Sequence, residues 1–170
     1  MVSEKNTSVA VVMGSYSDMD VLQACIDELS GFGIKPAVRI ISAHRTPQIA
    51  AKFAENAAKN GIKIIIAAAG MAAHLAGALA AKTTCPVIGV PLISGSSLEG
   101  IDALLSTIQM PPGIPVATVS IGKAGAKNAA ILAVQILALS DKALAKKLVE
   151  FKRNLGKKVI EKDSALQRGH

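Results

Sequence analysis

A three-layer α/β/α fold, built on a doubly wound parallel sheet of about five strands, is what three observations in the 170-residue sequence predict. Short apolar runs alternate with longer segments of helical periodicity throughout residues 8–140. Two of those runs, SVAVVMG at 8–14 and IKIIIAAAG at 62–70, are apolar without alternation, as strands covered on both faces are. The chain is also 51% hydrophobic with no Trp, one Tyr and three Phe. Its core must therefore be Ala, Val, Ile and Leu, which suit closely packed layers and large subunit interfaces.

The 8–14 strand leads into a helix over 17–33, where apolar residues at 22, 25, 26 and 29 share a face and Gly31 and Gly33 supply the stop. PAVRIIS at 36–42 is the second strand. The helix over 47–60 carries Pro47 in its first turn, where a missing N–H costs nothing. After the 62–70 strand comes a helix of small residues at 72–83, whose backbone can approach its neighbours closely. PVIGVP at 86–91 is the fourth strand and 96–109 a helix. The tight connection MPPGIP precedes a fifth strand at 116–122, and 124–140 is a long apolar helix. Residues 141–162 are amphipathic and basic, a final helix reaching away from the core. No internal repeat or low-complexity linker interrupts the pattern. The expectation is a single domain over 1–170, with an α/β catalytic core at 8–140 and a basic helical segment at 141–170.

Charge and cysteine content narrow the function classes. The net charge is +7, but nine Lys/Arg against four Asp/Glu fall in 141–170, leaving ten against eight in the rest. With little aromatic interleaving and no nucleic-acid motif, this reads as a solvated helix, and no nucleic-acid partner is expected. No apolar run reaches the roughly 18 to 20 residues needed to span a bilayer, so no membrane partner is expected. The polar N-terminal stretch MVSEKNTS lacks a signal-like apolar region, which points to the cytoplasm. Cys25 sits inside a helical pattern and Cys85 just before Pro86. Without metal spacing or a C-x-x-C pair they read as reduced, buried thiols.

Right-handed crossovers bring every strand-to-helix loop to the carboxyl edge of the sheet, where ligands bind in such folds. In GSYSD (14–18), Gly14 permits close backbone approach, Ser15 and Ser17 offer hydroxyls, and Asp18 opens a helix whose N-terminus attracts anions. Capping by Ser17 or Asp18 and phosphate binding use the same donors, so both remain open for this loop. Neither a Walker A loop nor GxGxxG is present. SAHRTP (42–47) adds a permanent cation, Arg45, with a fork suited to phosphate oxygens, and a hydroxyl at Ser42. It also holds His44, one of three histidines, the residue type that most readily carries protons near neutrality. In AGMAAHLAG (69–77), His74 lies early in the small-residue helix. Neither cysteine nor a carboxylate cluster accompanies it, so no metal is expected, and no GxSxG elbow supports serine hydrolysis. The small residues leave room for a small planar substrate, although close helix packing explains them equally well.

Together, GSYSD, SAHRTP, AAHLAG, IGVP and the run IQMPPGIPVATVSIGKAGAKNAAILAVQIL resemble the class I 5-(carboxyamino)imidazole ribonucleotide mutase family of purine biosynthesis. The motifs occur in order and at matching spacing over roughly residues 8–140. The resemblance implies flavodoxin-like subunits in a homo-octamer, with active sites between neighbouring subunits and no metal or organic cofactor. It implies an isomerase that moves a carboxylate from the exocyclic nitrogen of a small-molecule substrate, an aminoimidazole ribonucleotide, to ring carbon C4. Residue by residue, Ser15, Asp18 and Arg45 fall on the family's substrate-binding positions and His44 on its catalytic histidine. Ser17 and Ser42 would add hydroxyls around the phosphate, and the loop holding His74 would form the carbon dioxide pocket.

The chain departs from the family in places. Gly70-Met71-Ala72-Ala73-His74-Leu75-Ala76-Gly77 stands where the family usually has Gly-Gly-Ala-Ala-His-Leu-Pro-Gly, and Met19 replaces a common tryptophan. The loop at 92–99 is about one residue longer than usual. A related class II branch, which carboxylates aminoimidazole ribonucleotide directly, resembles Ser-Ala-His-Lys in the second loop and Arg-Ser-Asn in the third. Arg45 and Ala72-Ala73-His74 favour the mutase. A non-catalytic nucleotide- or flavin-binding module on the same fold is the alternative from another class.

Overall fold

Strands β1 (Val9–Met13), β2 (Ala37–Ile40), β3 (Ile64–Gly70), β4 (Val87–Leu92) and β5 (Ala117–Thr118) form one sheet in the order β2-β1-β3-β4-β5. Every pairing is parallel. The computed structural model describes residues 7–95 and 98–168. The polar N-terminal stretch through residue 6, the first two residues of the helix predicted at 96–109 and the last two of the C-terminal segment lie outside these.

Helices α1 (Met19–Gly31), α2 (Pro47–Asn56), α3 (Leu75–Ala80), α4 (Ile101–Ile108) and α5 (Gly122–Ala138) alternate with the strands, and α6 (Lys142–Arg168) ends the chain. The unbroken apolar character of β1 and β3 has its cause in burial on both faces. Ala10, Val12, Ile65 and Ala67 pack with Ala50 and Ala54 of α2 and Leu75 and Leu79 of α3. On the opposite face Val9, Val11, Met13, Ile64 and Ile66 are buried too. This is the three-layer architecture expected, with about 0.8 kcal/mol per buried methylene holding it together. Small residues are what let the layers close. A side chain on Gly89 of β4 would collide with Thr107 in α4 and Val116 ahead of β5.

Element boundaries differ from the periodicity reading where backbone conformation intervenes. The helix expected from residue 72 begins at Leu75, because Met71 has φ +54° and residues 71–74 form a turn. Its bonds run from Ala73 N–H to Met71 O and from His74 N–H to Ala72 O. Glu99 and Gly100, with φ +52° and +87°, precede α4 and move its start to Ile101. The fifth strand is two residues long, pairing through Ile88–Ala117 and Gly89–Thr118, before the chain turns at Gly122 into α5.

The chain divides into two compact units, one through Ala133 and one from Val134, the division falling within α5. In the second unit, Asp141 caps α6, its carboxylate accepting from the N–H groups of Ala143 at 2.8 Å and Leu144 at 3.1 Å. The helix runs 27 residues, past the 162 that periodicity marks, and buries no side chain. Among the described residues, no helix is long and apolar enough to cross a membrane.

Candidate functional site

The carboxyl ends of β1, β2, β3 and β4 open on one cleft of about 520 Å³. Its floor lies where β1 has β2 on one side and β3 on the other, the point at which the strand order reverses. Parallel strands therefore deliver the first three loops, with their chemistry-bearing side chains, to one place.

The first loop is fixed by its own hydrogen bonds. Ser15 is the N-cap of a 3₁₀ turn over Tyr16–Asp18, and the two ends of that turn satisfy each other. The Ser15 hydroxyl accepts from the Ser17 N–H at 3.4 Å and from the Ser17 hydroxyl at 2.9 Å. The Asp18 carboxylate accepts from the Ser15 N–H at 3.0 Å. Asp18 does stand at the N-cap position of α1, but without a side-chain capping bond. The side-chain capping falls to Ser15, in a capping box on the 3₁₀ turn that precedes the helix. Partial burial raises the Asp18 carboxyl above its ordinary value, and bonds from Ser15, Ser17 and Gly14 moderate the shift.

The second loop is stapled by Thr46, a residue the motif reading passes over. Its hydroxyl accepts from the Ser42 N–H at 3.0 Å and donates to the Ser42 carbonyl at 2.9 Å. Ser42 Oγ accepts from the Arg45 N–H at 3.1 Å. These bonds turn the chain sharply between β2 and α2 and hold the His44–Arg45 pair on the cleft wall. Arg45 Nη2 reaches back to the Gly14 carbonyl at 3.5 Å, bridging the first two loops.

The third loop contributes Ala69, Gly70, Met71, Ala72 and Leu75 to the wall, an apolar surface in the same cleft as the polar first loop. His74 is not part of that wall. Its Nδ1 lies 2.9 Å from His44 Nε2, with the rings nearly perpendicular at 84°. Ser15, Ser17, Asp18, Ser42, His44 and Arg45 all line the cleft, and His74 joins them only through His44. Ser94, from the loop after β4, lines it as well. No motif marks that serine; its one signal in the sequence is its position just beyond a strand at the ligand-binding edge.

The cysteines lie elsewhere. Cys25 is buried in α1, and burial reinforced by Glu28 pushes its thiol up to about 12, which leaves it inert at neutral pH. Cys85 bonds through Sγ to the Ile62 carbonyl at 3.3 Å. Among the described residues, no group of three or more His, Cys, Asp or Glu is arranged to hold a metal ion.

A family profile described as AIR carboxylase matches residues 8–158. The chain is 50% identical to the N5-carboxyaminoimidazole ribonucleotide mutase of Bacillus subtilis over 158 residues, covering 93% of this chain and 97% of that protein. It is 51% identical to the enzyme of the same name from Haemophilus influenzae, over 92% of this chain and 95% of that protein. For the Escherichia coli K12 enzyme of that name the figures are 49%, 90% and 90%. Among solved structures, Treponema denticola PurE superposes with a TM-score of 0.82 at 35% identity, covering 93% of this chain and 97% of that one. The order of the strands, the cleft at their carboxyl ends and sequence identity running almost the full length converge: this chain belongs to the AIR carboxylase family.

Proposed function

We propose that the chain is an N5-carboxyaminoimidazole ribonucleotide mutase, an isomerase of purine biosynthesis that shifts a carboxylate from the exocyclic nitrogen of its substrate to C4. One observation carries this reading: His44 and Arg45 stand side by side on a single cleft that the Ser15–Asp18 loop and an apolar wall also line. Identity of about one half to mutases, over nine-tenths of the chain, supports the same assignment.

The residue types divide the labour. Arg45 binds the 5′-phosphate through its fork, helped by the hydroxyls of Ser15, Ser17 and Ser42. Asp18 would repel a phosphate, so it accepts hydrogen bonds from the ribose hydroxyls instead. His44, as a cation, delivers a proton to the exocyclic nitrogen as the N–C bond breaks and carbon dioxide leaves. The C4 carbon then attacks the retained carbon dioxide, and neutral His44 takes the C4 proton. The proton given equals the proton recovered, and no other reactant enters. Carbon dioxide held against Ala69, Met71, Ala72 and Leu75 recombines within the complex, where effective molarity far exceeds that in solution.

The assay compares turnover of the carboxyamino substrate with that of aminoimidazole ribonucleotide plus bicarbonate. Efficient use of the second pair alone would move the chain to direct carboxylation, and a flavin-loaded preparation would move it out of catalysis. His44→Asn is expected to lower kcat by about 1,000-fold while the fold and substrate binding persist. An active His44→Asn variant would place the proton carrier elsewhere.

The chain is further proposed to act in the cytoplasm, with 8–140 as its catalytic core, 141–170 as a basic helical segment of the same domain, and assembly as a homo-octamer with sites between subunits. Supporting assembly, α4 leaves Ile101, Leu105 and Ile108 about half exposed on one side, at helical spacing. The leucines of the small-residue helix α3 are already buried within the chain, so α4 is the better interface candidate. Light scattering on a size-exclusion column tests this, and a monomer overturns it.

A further inference from the structure

Resting on the mutase reading, we propose that His74 is a positioning residue that acts through His44, fixing which ring nitrogen of His44 carries protons to and from the substrate. An N···N contact of 2.9 Å holds a single hydrogen, so one ring donates and the other accepts. Two imidazolium rings would direct two N–H groups at each other, and the contact would open. The pair therefore carries at most one positive charge while it stays closed.

This constraint suits the reaction. With Nε2 of His44 engaged, Nδ1 is the atom left to meet the substrate. His44 as acid carries hydrogen on both nitrogens, the Nε2–H donated to Nδ1 of neutral His74. Losing the Nδ1 proton to the exocyclic nitrogen leaves His44 neutral with its Nε2–H still in place. The same Nδ1 is then ready to accept the C4 proton. His74 thus keeps the tautomer constant through the cycle, and no proton passes through it. A side chain bonded to the far nitrogen of a catalytic imidazole performs this task in other enzymes, usually as a carboxylate. A neutral acceptor serves here without adding negative charge beside the carboxylate of the substrate.

The backbone is built to hold His74 there. Its N–H donates to the Ala72 carbonyl at 2.8 Å, and its carbonyl accepts from the Ala78 N–H at 2.9 Å. Ala73 and Leu75, its neighbours on either side, are buried. The ring is left exposed on the surface, with its Nδ1 against His44. Beside His44, the charged groups lining the cleft among the described residues are Asp18 and Arg45, from the first and second loops.

Two variants of His74, read against wild type, test the assignment. His74→Phe keeps the ring and removes the acceptor. It is expected to lower kcat about 10- to 100-fold with KM changed less than twofold, and to shift the acid limb of the kcat profile. His74→Asn places an amide oxygen near the Nδ1 position and is expected to restore most of the lost rate. ¹⁵N NMR of the unliganded protein reads the pairing directly: His44 should be one tautomer in wild type and a mixture in His74→Phe. Unchanged kcat and pH profile in His74→Phe would overturn the proposal. So would equal loss in both variants with a large rise in KM, which marks a substrate contact. If wild type fails to turn over the carboxyamino substrate, the mutase reading fails, while the tautomer measurement still decides whether His74 orients His44.

Discussion

The first and third loops leave adjacent strands and reach the same cleft, yet they are built in opposite ways. After β1, Ser15 and Asp18 satisfy each other's polar groups, so the loop holds its shape largely by itself. After β3, Met71 sits at φ +54°, a left-handed conformation that glycine adopts freely and a side chain resists. Its side chain, about half exposed, lines the cleft. The first loop gains local stability from the residues proposed to bind substrate, whereas the third gives some up to place an apolar chain at the wall. Where a loop's functional groups are also its structural bonds, function and stability fall together; where they conflict, mutation separates them.

The largest effect expected within these two loops follows from that coupling. Asp18→Ala removes both the acceptor for the Ser15 N–H and the proposed ribose contact, and kcat/KM is expected to fall about 100-fold, the loss typical of a charged hydrogen bond. Steady-state kinetics on the carboxyamino substrate read this. A fall below threefold would mean that Asp18 serves the turn alone. Smaller, and opposite in sign to each other, are two stability effects measured by urea unfolding. Ser15→Ala should lower stability by about 1 kcal/mol through loss of the cap. Met71→Gly should raise it by about 1 kcal/mol through relief of the left-handed backbone. If Met71→Gly is destabilising, contacts of the methionine side chain outweigh the strain, and the contrast between the loops disappears.

The same contrast explains what the sequence discloses. The parallel five-stranded sheet, the cleft edge and the gathering of Ser15, Asp18, Ser42, His44 and Arg45 follow from short-range patterns: apolar runs, helical spacing and right-handed crossovers. Those signals are local, and parallel β-α repetition turns them into position. The contact between His44 and His74 spans 30 residues and depends on how two loops approach, which periodicity does not encode. Met71 differs from the family's glycine visibly, but its positive φ is imposed by the turn at 71–74. Thr46 sits inside a motif whose other residues draw the chemistry, and Ser94 has no motif of its own; one staples a loop, the other reaches the cleft from the loop after the fourth strand. The exposed side of α4 was hidden for a similar reason, since an amphipathic helix looks the same whether its apolar face meets a core or another subunit.

The smallest effect concerns pH and decides which influence governs the first loop. Burial raises the Asp18 carboxyl above its ordinary value of 3.8, against the opposing pull of its hydrogen bonds. A raised acid binds more protons in the native state than in the unfolded one between those two values. Its contribution to stability therefore declines as pH rises from about the ordinary value through the raised one. Asp18→Asn removes that titration while keeping an acceptor for the Ser15 N–H. Wild type should lose stability relative to Asp18→Asn as pH climbs through this window, and the difference should then level off. The opposite slope, with wild type gaining on the variant, would show that the bonds from Ser15, Ser17 and Gly14 outweigh burial. The carboxylate would then be held by the loop rather than strained within it, ready to accept the ribose hydroxyls without first being freed.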